Sequence, residues 1–185
     1  MNRRITIAVA ATAALGLAAG GATAGAAAKK NEIRIEGGTV FKAGKYVKDA
    51  VHFAPADISV KSGATVKLKN KGTDPAPHTI TFVEKKYMPK SFDVAVEDQL
   101  LKAHQVDPTN EEAPPGVLIV DNGAPLAPGA TWEVDSAFTP DKAGDSAFIA
   151  PDQKTFSFKV TAKKGSKLFY FCGIHPWMQG KITVK

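Results

Sequence analysis

Cysteine is nearly absent: the 185 residues contain one, Cys172. A single cysteine excludes an internal disulfide, and a lone thiol in an exported chain is reactive, intermolecular or held by a ligand. Histidine is scarce, with four residues, and so is methionine, with three including Met1. Neither a His-rich nor a Met-rich tract is present. Long runs of one charge are also missing. The basic residues cluster only as the doublets Lys29-Lys30, Lys85-Lys86 and Lys163-Lys164, apart from an N-terminal arginine pair. That excludes a basic arm for nucleic acid, and acids and bases are otherwise interspersed as on a solvated surface.

The one long apolar stretch is at the start. Met1-Asn2-Arg3-Arg4 is a charged leader, 5–17 is apolar apart from Thr6 and Thr12, and small residues follow with A-x-A sites at 24–26 and 26–28. This is the pattern of a secretory signal peptide over residues 1–28. An uncleaved anchor is the alternative, but the segment is weakly apolar for its length. The cleavage region has no cysteine, which excludes a lipid-anchored form. Removal of Arg3 and Arg4 would lower the formal charge of +6 by two. Residues 29–185 then form one domain, exported to the periplasm or the extracellular space, with no membrane insertion after cleavage.

The mature chain has β texture. Residues 32–36, 57–61, 65–70, 79–83, 130–134 and 155–160 alternate apolar and polar, which predicts half-buried antiparallel strands. The unbroken run 117–120 predicts a buried strand, and 168–172 and 181–184 complete the set. Eight or nine short strands with Gly, Pro and Asp turns predict an all-β sandwich. An insertion at 85–115 interrupts it, with a short helix predicted over 96–104, and 140–151 reads as a second irregular excursion. Neither carries enough apolar residues for its own core.

The chemistry concentrates in 169–180, F-Y-F-C-G-I-H-P-W-M-Q-G, where Cys172, His175 and Met178 share one loop. A thiolate, an imidazole and a thioether are soft donors suited to copper, and trigonal His₂Cys sites with a weak axial Met are electron-transfer copper sites. The second imidazole has to come from elsewhere, and His78, in P-A-P-H-T-I-T-F, is the candidate. His52 and His104 lie in contexts unlike those of ligands.

With C-x-x-H-P-x-M closing a β-rich chain and P-H-T opening a strand upstream, the sequence resembles the cupredoxins, the blue (type 1) copper proteins of the plastocyanin and azurin class. Its ligand loop is most similar to that of amicyanin. The resemblance covers about 57–82 and 156–185. It implies a Greek-key sandwich and one type 1 copper held by His78, Cys172, His175 and Met178. Pro77, Thr79, Gly173 and Pro176 would support that site. If the imidazole edge of His175 is exposed, Ile174, Pro176 and Trp177 would form an apolar rim around it for electron transfer.

The expected function is a one-electron shuttle, monomeric, docking transiently with a redox donor and an acceptor. An enzyme reading is disfavoured because Phe171 and Gly173, not histidines, flank Cys172. Copper storage or delivery through the same site is the alternative.

Overall fold

The structure is a computed structural model, and it describes residues 30–91, 117–121, 124–125, 133–134 and 145–185. In chain order the strands are β1 Glu32–Glu36, β2 Thr39–Lys42, β3 Tyr46–Asp49, β4 His52–Ala54, β5 Asp57–Val60, β6 Ala64–Asn70 and β7 His78–Val83. They continue with β8 Val117–Asp121, β9 Ala124–Pro125, β10 Glu133–Val134, β11 Ser146–Ile149, β12 Thr155–Val160, β13 Lys167–Phe171 and β14 Gln179–Val184.

Two sheets hold most of these strands. One runs β10-β12-β6-β1-β4 and the other β5-β14-β13-β7-β11-β8-β9. The chain passes repeatedly from one sheet to the other, as in a Greek-key sandwich. The pairing is mixed: β1 with β6, β5 with β14 and β10 with β12 are parallel, where sequence alternation alone predicts antiparallel strands.

Apolar side chains from the facing surfaces fill the space between the sheets. Ile33, Ile35, Val66, Leu68, Phe158 and Val160 come from one sheet and Ile80, Phe82, Tyr170, Ile182 and Val184 from the other. Aromatic rings cross the gap. Phe53 meets Tyr170 edge-on at 5.1 Å and Phe82 meets Phe158 at 5.8 Å, both preferred geometries for ring pairs.

Two strands depart from the sequence reading. In β7 all six residues are buried, although 79–83 alternates like a half-exposed strand. The alternation is real in chemistry but not in exposure. Thr79 and Thr81 are buried because their hydroxyls satisfy each other at 2.9 Å, and Thr81 also meets the Ser146 hydroxyl at 2.8 Å. The stretch 140–151, read as irregular, contains β11, which lies between β7 and β8 and is buried throughout. Covered on both faces, S-A-F-I has no exposed side to create a period-2 signal.

Among the described residues the remaining pair, β2 and β3, forms a ladder only with each other. This ribbon exposes Val40, Phe41, Tyr46 and Val47. The helix predicted over 96–104 and the signal segment lie outside the described residues. The described start of the insertion is a single 3₁₀ turn, Lys85–Tyr87. Among the described residues no helix is long and apolar enough to cross a membrane.

Candidate metal centre

β13 and β7 are antiparallel neighbours, paired at Phe171↔Thr81, Tyr170↔Phe82 and Phe169↔Val83. That register brings Cys172, just past the end of β13, beside His78, the first residue of β7. The Thr79 backbone N–H donates to Cys172 Sγ at 3.3 Å, and the Gly173 N–H donates to the Thr79 hydroxyl at 2.7 Å. Thr79 therefore touches the thiol through its backbone and braces the loop through its side chain. Pro77 is half-buried, directly ahead of β7.

The loop after β13 is closed by its own backbone. The Met178 N–H donates to the His175 carbonyl at 2.8 Å, and the Cys172 N–H donates to the Met178 carbonyl at 3.0 Å. Cys172 and Met178 are fully buried, and Pro176 holds the loop between them. His175 Nδ1 lies 3.6 Å from Cys172 Sγ. The His78 and His175 rings stand 5.0 Å apart. One ligand atom each from His78, Cys172 and His175 lies within 4.8 Å of the others.

The electrostatics of this cluster are unsettled without a cation. Among the described residues neither nitrogen of His78 has a hydrogen-bond partner, although both are buried; Nε2 only faces the Asp74 carboxylate, 3.3 Å away. Such orphaned groups are costly. Burial pushes the Cys172 thiol up to about 11, against the Thr79 N–H, and pushes His78 down to about 4. Burial also lowers His175, and the nearness of His78 lowers it further. The cluster therefore offers two neutral imidazoles and a thiol whose ionisation needs a positive charge beside it, and a soft metal ion supplies that charge.

Exposure differs from the sequence expectation. His175 is only 5 % exposed, Pro176 is buried and Ile174 half-buried, so of the proposed rim only Trp177 is well exposed, at 48 %. The outer edge of His175 is covered by two carboxylates: Asp74 Oδ2 lies 3.7 Å and Asp49 Oδ2 3.9 Å from its Nε2. Trp177 packs edge-on against the His175 ring at 5.3 Å, and its indole N–H donates to the Val51 carbonyl at 3.1 Å. Gln179 joins the loop to the start of the insertion by donating to the carbonyls of Pro89 and Pro176, both at 2.8 Å.

Sequence reasoning missed Asp74 and Asp49. Asp74 opens D-P-A-P-H, where two prolines limit how it can lie relative to His78. That spacing was the available signal. Asp49 ends β3 and carried none. His52 stays apart from the cluster, its Nδ1 2.9 Å from the Ala50 carbonyl.

Solved structures that this chain resembles include cupredoxins. A purple cupredoxin from Nitrosopumilus maritimus matches at 15 % identity and a TM-score of 0.40, over 84 % of this chain and 100 % of that one. Oxidised plastocyanin from Dryopteris crassirhizoma matches at 17 % identity and 0.38, over 83 % and 99 %. Auracyanin A, a blue copper protein from Chloroflexus aurantiacus, matches at 16 % and 0.41, over 83 % and 99 %. No protein-family model and no curated protein sequence matches. At these levels of likeness the reading of the centre rests on the chain's own residues.

Proposed function

We propose that this chain is a copper-binding electron carrier with one type 1 copper. His78, Cys172 and His175 would hold it through two imidazoles and a thiolate, with the Met178 thioether as a weaker donor. The observation that carries this reading is the convergence of a buried thiol and two buried imidazoles from separate parts of the chain, with the Nδ1 of His78 unpartnered among the described residues. Copper bound there would supply a one-electron Cu(II)/Cu(I) couple.

The protein's own part is rigidity. Cys172 is fixed by the β13–β7 register and His78 by the start of β7, while His175 and Met178 are held by the closed loop. A site that rearranges little between oxidation states exchanges electrons readily. Its burial favours a carrier over storage or delivery, which needs an accessible ion. The sequence pattern at residues 1–28 supports export, and Trp177, exposed and packed against the His175 ring, is where a redox donor or acceptor would dock.

A visible absorption titration of the mature protein with Cu(II), before and after ascorbate, tests the reading. An intense thiolate-to-copper band that bleaches on reduction and returns on oxidation is expected, and it should be lost in Cys172→Ser. A colourless copper complex overturns the reading.

A further inference from the structure

Asp74 lies in the loop between β6 and β7. The loop is pinned to the end of β1: the Lys71 N–H donates to the Ile35 carbonyl and the Thr73 N–H to the Gly37 carbonyl, both at 2.9 Å. The Asp74 side chain is only 2 % exposed, and its Oδ1 lies 3.3 Å from His78 Nε2 while its Oδ2 lies 3.7 Å from His175 Nε2. One carboxylate thus faces both imidazoles, each at Nε2. For His175, that is the edge opposite the nitrogen nearest Cys172. Among the described residues no other side chain donates a hydrogen bond to either oxygen, and no lysine or arginine is paired with it.

A buried carboxylate with no paired cation is expensive unless something nearby turns positive. The proposed centre provides that. Cu(II) with one thiolate, two neutral imidazoles and a thioether carries one net positive charge, and after gaining one electron it carries none. Imidazoles bound to a metal commonly direct their other ring N–H to a carboxylate, which fixes the ring and raises its basicity.

Building on the copper reading above, we infer that Asp74 is a positioning residue shared by both ligand histidines, and that its buried negative charge holds the site toward Cu(II). Asp49 is the weaker partner. It reaches only His175, at 3.9 Å, its side chain is 24 % exposed, and it already accepts the Val51 N–H at 3.0 Å.

The test compares wild type, Asp74→Asn and Asp49→Asn as full mature proteins, each titrated with copper alone. Cu(I) and Cu(II) affinities are measured by chelator competition, and the potential against a mediator. In Asp74→Asn the Cu(II) affinity should fall at least tenfold while Cu(I) affinity changes much less. A tenfold change in that ratio raises the potential by about 59 mV for one electron. Asp49→Asn should move the ratio less.

A merely structural role would lower both affinities together and leave the potential in place. That result, or no change in either, overturns the inference while the thiolate band still supports the copper reading. A wild type without that band removes the copper reading and the inference with it. Asp74→Ser provides the same comparison if the Asn variant does not fold. Failure of both to fold overturns the inference by making Asp74 structural.

Discussion

Cys172 shows how burial sets the chemistry of a single side chain. With its pKa pushed up to about 11, the thiol is protonated at neutral pH in the metal-free protein, while His78 at about 4 is already neutral. Copper must therefore displace the thiol proton, and binding at pH 7 should release about one proton per Cu(II). Calorimetry in two buffers of different ionisation enthalpy reads that number, and Cys172→Ser should release none. Release near zero in the wild type would mean that the thiol is not a ligand. The cluster of His78, Cys172 and His175 was legible in the sequence because soft donors at these spacings are rare in a chain with so few of them. Asp74 was not, because an aspartate before a proline reads as an ordinary turn residue.

The pairing of β7 with β13 is the element on which the centre depends. Its hydroxyls matter as much as its ladder, since Thr79 accepts the buried Gly173 N–H and bonds to Thr81. Thr79→Val keeps the shape and favours the strand, yet leaves that N–H unpaired. It should cost about 1–3 kcal/mol in urea denaturation of the metal-free protein, while Thr79→Ser should recover most of the loss. Equal stability of the two variants would show that the hydroxyl bond contributes nothing. Strands with one wet face, such as β6 and β12, were readable from alternation. β11 was not, because a strand buried on both faces has no period to read, and β2 and β3 were not, because their apolar residues never enter the core.

At the scale of the molecule, the neutral imidazoles make the metal-free fold sensitive to acid. The ordinary histidine value is 6.5, and His78 in the fold is held near 4 by burial. Below pH 6.5 the unfolded chain takes up a proton that the folded state refuses, so stability is lost as pH falls from 6.5 toward 4. From pH 7.5 to 5 the loss from His78 is about 2 kcal/mol. His175, also lowered, adds to it, while the raised Asp74 carboxyl offsets part of it at the acid end. Denaturation midpoints at the two pH values check this, and a flat profile would contradict it. The solitary β2–β3 ribbon adds a consequence of another kind. A two-stranded ribbon is marginal by itself, so it opens at a lower free energy than the sandwich. Asp49, which helps to cover the His175 edge, is the ribbon's last residue. Asp49's share of the cover over the imidazole is thus hung on a ribbon with no other ladder partner among the described residues, and Lys42, Lys45 and Lys48 keep its apolar strands from templating another chain when they part.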